Sequence, residues 1–115
     1  MAPVIKERRL VVPISGSPDV VGYRMYFVIA GQVLDRTAMY IDLPSVVPDE
    51  KGEMRFNAAD LKNPDGSNVF TDGRYDIGIV SVDDAGNESS MSTLLDVPFD
   101  FVAPDAPGPI RIEDA

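Results

Sequence analysis

The side chains of this sequence that could do chemistry are mostly oxygen-bearing. Asp83, Asp84, Asn87 and Glu88 gather in one short stretch, Asn63, Asp65, Ser67 and Asn68 in another, and Asp49 and Glu50 form a further acidic pair. Such clusters suit Ca2+, which takes roughly six to eight oxygen ligands. In NPDGSN the oxygens alternate as in a calcium loop, but no bidentate Glu follows at the needed distance and Pro64 interrupts the pattern. Asn63, Asp65, Ser67 and Asn68 are therefore a calcium candidate second and a turn first. In DDAGNE, Asp83 and Asn87 are types that bond their own backbone in tight turns and accept positive φ, which makes them structural residues. The adjacent pairs Asp49-Glu50 and Asp83-Asp84 do not form an acid/base pair, because neighbouring side chains diverge whereas such a pair faces across a cleft. The chain has no histidine and no cysteine. Ser15, Ser17, Ser89 and Ser90 thus lack an imidazole to activate them, and disulfides and thiolate chemistry are excluded. The expectation is a protein that is not an enzyme and carries no cofactor.

Charge narrows the partners. Nineteen acidic residues against 10 basic ones give a net charge of -9 in 115 residues. Nucleic acid and anionic lipid repel such a surface. No apolar run reaches membrane-spanning length, and the charges in MAPVIKERRLVVPISG fall inside what would be the apolar part of a signal peptide. A chain of this length makes one domain that buries roughly two thirds of the surface it exposes when unfolded.

The elements that must position these residues are short apolar runs punctuated by 10 Pro and 9 Gly, the spacing of an all-β sandwich. Arg8 to Ile14 predicts a strand with Leu10 and Val12 on one face. Val20 to Ala30 places Tyr23, Met25, Phe27 and Ile29 on one face and Arg24, Tyr26 and Val28 on the other. Ala38 to Leu43 and Glu53 to Asn57 are shorter strands, the second with Met54 and Phe56 inward. Asn57 caps a helical turn near 58–63 that Pro64 ends. Tyr75 to Val82 alternates with Tyr75, Ile77 and Ile79 inward, and Ser92 to Val102 follows with Pro98 turning its missing donor outward.

Two stretches carry a family resemblance. Asp19 to Tyr26 (DVVGYRMY) resembles the third strand of a bacterial-type fibronectin type III module, and Tyr75 to Ser89 (YDIGIVSVDDAGNES) resembles its sixth strand and the turn after it. The resemblance implies an immunoglobulin-like sandwich of two antiparallel sheets and about seven strands over residues 1–103. It also implies a corner role for Tyr75, its hydroxyl bonded to backbone near Val69 to Asp72. Val12 stands where the family has a tryptophan, so the core there is expected to be filled by Phe56 or Met25. The middle connection is longer than the family needs, which places enlarged loops at 44–52 and 57–68.

The resemblance implies a structural, spacer or protein-interaction module of a surface or extracellular assembly, without fixing the compartment. The alternative is a discrete module that binds carbohydrate or protein through the enlarged loops. Two features bear on partners. Tyr26, Val28, Val80 and Val82 lie opposite the expected core, on a face that calls either for a partner surface or for cover by the long middle insertion. Residues 104–115 read as a linker or the start of a following module. Within them Ile110 and Ile112 flank Arg111 in period two behind the stiff Pro104, Pro107 and Pro109, and could add an edge strand to another copy.

Overall fold

The computed structural model describes residues 5–115. Six strands are present among them: β1 (Arg9–Pro13), β2 (Val20–Ile29), β3 (Met39–Asp42), β4 (Glu53–Asn57), β5 (Gly73–Asp83) and β6 (Ser92–Phe99). They form two antiparallel sheets, a four-stranded one in the order β3-β2-β5-β6 and a two-stranded one of β1 and β4. The chain is thus all-β. The expected count of about seven is not reached among the described residues, and β1 has a neighbour on one side only.

Alternation sets the register. Met25 and Phe27 of β2 pair with Ile79 and Ile77 of β5, and Leu10 and Val12 of β1 pair with Phe56 and Met54 of β4. All eight point between the sheets because side-chain direction repeats every second residue. Ile29, assigned to the inward face by the same alternation, is 66% exposed. It sits at the end of β2, one residue before Ala30 and Gly31 turn the chain away.

The middle connection fills the core rather than covering the outside. Asn57 caps a 3-10 turn at Ala58–Asp60 by accepting the Ala59 N–H, and Ala58, Leu61, Val69 and Phe70 are buried in the common core. Phe70 takes the central place. Its ring stacks on Phe99 at 4.3 Å and meets Tyr75 edge-on at 5.1 Å, geometries that aromatic pairs prefer. Phe56 and Met25 are buried in the same core cluster as Val12, whose partner across the β1–β4 pair is Met54.

Two polar groups lock the start of β5. The Tyr75 hydroxyl accepts the Thr71 N–H at 3.2 Å and lies 3.0 Å from Thr71 Oγ1. The buried Asp76 carboxylate accepts the Gly31 N–H at 3.2 Å and the Asp96 N–H at 2.8 Å. It ties the β2–β3 turn to an irregularity in β6, where Asp96 adopts a φ of 56° and the pairing with β5 shifts. Replacing Tyr75 by Phe leaves the Thr71 N–H without this partner. We expect a loss of about 1–3 kcal/mol, read from the midpoint of urea unfolding; an unchanged midpoint would reject the locking role.

Candidate functional site

The outer face of the large sheet is closed. Tyr26 and Val80 are 2% and 1% exposed, and Val28 and Val82 are half-buried. This corrects the expectation of an open partner surface at Tyr26, Val28, Val80 and Val82. The cover does not come from the middle insertion either. It comes from the loops after β5 and β2: Met91 and Leu34 lie over Gly78, where an added Cβ would collide with Met91 Sδ and Cγ. Gly78 therefore seats Met91.

Glu88 clasps this cover to the sheet. Its carboxylate accepts the Tyr26 hydroxyl at 2.7 Å and lies 3.4 Å from Arg24 Nη1 and 3.6 Å from Arg36 Nε. Burial first, and then the bond to Glu88, push the Tyr26 phenol up, so it stays protonated as the donor. Arg24 also pairs with Asp42 at 2.8 Å and lies 4.5 Å from the centre of the Tyr40 ring. Sequence reasoning missed this clasp, because its members lie up to 64 residues apart.

Most oxygens of the two clusters are held by their own chain, although Asn63 Oδ1 is buried without a hydrogen-bond partner. Asp83 Oδ1 accepts the N–H groups of Ala85 at 3.0 Å and Asn87 at 2.8 Å, and Oδ2 accepts from the Asn87 side chain at 3.1 Å. These bonds, the Asn87 side chain first, hold the Asp83 carboxyl below its ordinary value. Asp19 and Asp84 approach Asp83 to within 4.8 Å, which makes an acidic group on the surface. In the other stretch Asp65 Oδ1 accepts the Ser67 N–H at 2.9 Å and the Ser67 hydroxyl at 2.6 Å, and Asn63 Nδ2 donates to Ser67 Oγ at 3.0 Å. The Lys62 ammonium, which donates to Asn68 Oδ1, supplies a positive charge where Ca2+ would have to sit. Asn63, Asp65, Ser67 and Asn68 are thus arranged as a closed turn.

The structure opens elsewhere. Between β1 and the start of β6 runs a groove of about 740 Å³. Its lining takes in all of β1, Tyr23, Ile77 and Ile79 below, and Ser92, Thr93 and Leu94 on the far wall, and Arg9 is its one charged member. The Tyr23 hydroxyl is already engaged by the Ser15 N–H at 2.7 Å. No described strand pairs with the groove side of β1. The tail residues Ile110 and Ile112 are 92% and 95% exposed, and Arg111 pairs only with Glu113, at 2.7 Å.

Fold and groove together define an all-β arrangement of two antiparallel sheets with a groove along the unpaired side of β1. No family model, no curated protein and no solved structure matches the chain.

Replacing Glu88 by Ala leaves the buried Tyr26 hydroxyl and two arginines without their shared partner. We expect a loss of about 1–3 kcal/mol and faster hydrogen exchange confined to residues 81–91. Uniformly faster exchange over the whole chain would contradict a local clasp.

Proposed function

We propose that the chain is a non-catalytic structural or protein-interaction module of a larger assembly, in line with the fibronectin type III resemblance and the extracellular or cell-surface setting which that implies. The observation that carries the reading is the unpaired groove side of β1. An edge strand offers a row of main-chain donors and acceptors, and another polypeptide strand satisfies them where a small ligand does not. The groove lining supports this, since it offers hydroxyls and apolar side chains and no carboxylate.

Carbohydrate binding through loops 44–52 and 57–68 is the second reading, and the loops favour it less. Asp49 bonds the Lys51 and Glu53 N–H groups and pairs with Arg55, while Val46 and Leu61 are turned into the core. Sugar sites commonly present exposed aromatic rings, and neither loop holds a tryptophan or tyrosine. Labelled protein applied to a glycan array is expected to show no saturable, competable retention. A specific sugar ligand would replace the protein-interaction reading.

A further inference from the structure

We propose that the strand place beside β1 is filled by residues Pro109–Glu113 of a second copy of this chain, which joins copies head to tail. The inference rests on the protein-interaction reading and names its partner.

The backbone of β1 sets the terms. Ile14 donates its N–H to the Gly52 carbonyl, and the Arg8 carbonyl accepts from Ala58. Even-numbered residues of β1 therefore bond towards β4, and alternation turns the main-chain groups of Arg9, Val11 and Pro13 into the groove. Leu10 and Val12 meanwhile point into the core. An added antiparallel strand must match this pattern in both respects.

The tail does so in one register, with Arg111 across from Val11. Ile112 and Ile110 then lie across from Leu10 and Val12 and point inward with them, because directly opposed residues share a face. Arg111 and Val11 exchange both main-chain bonds. Pro109 falls opposite Pro13, so the two residues that lack an N–H meet where neither has one to give. Glu113 falls opposite Arg9, an opposite-charge pair. A slip of one residue turns both isoleucines outward, and a slip of two sets a proline opposite the Val11 carbonyl or Arg111 opposite Pro13. The lengths agree as well, since β1 has five residues.

The course of the tail points to an intermolecular contact. It leaves the sandwich beyond Phe99, where residues 98–104 lie beside Ile5, Lys6 and Arg8, which lead into the Arg9 end of β1. The groove runs from Arg9 to Ser15 and reaches Ser81, Ser89 and Ser92 at its far end. To lie antiparallel in its own groove the tail would have to pass to the Pro13 end and double back; in the structure it projects instead, with Ile110 and Ile112 92% and 95% exposed. The radius of gyration is 18.6 Å, against about 13–14 Å for a compact chain of this size, as a projecting tail requires. Tail and groove are different surfaces, so their contact builds filaments or closed rings, of which a dimer with reciprocally exchanged tails is the smallest.

Cross-linking tests the register, since the chain has no cysteine of its own. Two full-length single-cysteine proteins, Val11→Cys and Arg111→Cys, are mixed and oxidised. Their Cα atoms would lie about 5.5 Å apart, within disulfide reach. The mixed dimer is expected as the main product. It should be lost when the Arg111→Cys protein also carries Ile110→Asp and Ile112→Asp, changes at exposed positions that leave the sandwich intact. It should also be lost when Ile112→Cys replaces Arg111→Cys. Equal yields from all pairings would overturn the proposal. Light scattering on the unsubstituted chain should show a mass that rises with concentration, and the Ile110→Asp/Ile112→Asp variant should remain monomeric. A chain that stays monomeric at millimolar concentration overturns the proposal. So does association that persists in that variant, although the protein-interaction reading would then stand; only a specific glycan ligand removes that reading itself.

Discussion

Two strands cannot cover four. The β1–β4 sheet faces a sheet of twice its strand number, and the apolar inner surface of the larger one has to be buried by something else along both flanks. On one flank the chain supplies the filling itself. The middle connection brings Ala58, Leu61, Val69 and Phe70 into the core, with Leu43 and Val46 packed against it. On the other flank nothing among the described residues fills the space, and the groove between β1 and β6 is the result. The unequal widths of the two sheets thus account both for the inward-folded insertion and for the groove beside β1.

The outer face answers a different demand. An apolar stripe on the solvent side of a sheet needs cover, and here two loops provide it, held by the carboxylate of Glu88 against Tyr26, Arg24 and Arg36. With that face closed and the oxygen-rich turns bonded largely to themselves, the β1 edge stands out among the strand edges without a neighbour, which also include those of β3, β4 and β6, because it lines the groove. This is why the functional reading rests on it. An unprotected edge is a liability for most proteins, and under the proposal a tail carrying the complementary pattern would turn it into a specific contact.

Much of the framework was legible from local pattern. The alternation in Tyr75, Ile77 and Ile79, the pair Leu10 and Val12, and the cap at Asn57 before Pro64 all declare themselves within a few residues. What was illegible depends on contacts distant in sequence. Phe70 is a single aromatic in a loop, with no period to mark it, yet it stacks at the centre of the core. Met91 and Leu34 cover the outer face because Gly78 leaves them room, and no local signal announces that. The strand place was legible only in half: the period of Ile110 and Ile112 could be read, but the site that fits it appears only once β1 is seen with a free side.

The central claim is that the groove side of β1 is open in the isolated chain and is closed by another copy. The Val11 amide reports on it directly, because its N–H turns to the groove while those of Leu10 and Val12 turn to β4. The decisive measurement is hydrogen exchange at these three amides over a wide range of protein concentration. The account predicts that Leu10 and Val12 are protected throughout and that Val11 passes from unprotected in dilute solution to protected as the concentration rises. A Val11 amide whose exchange is independent of concentration, whether fast or slow, would contradict it.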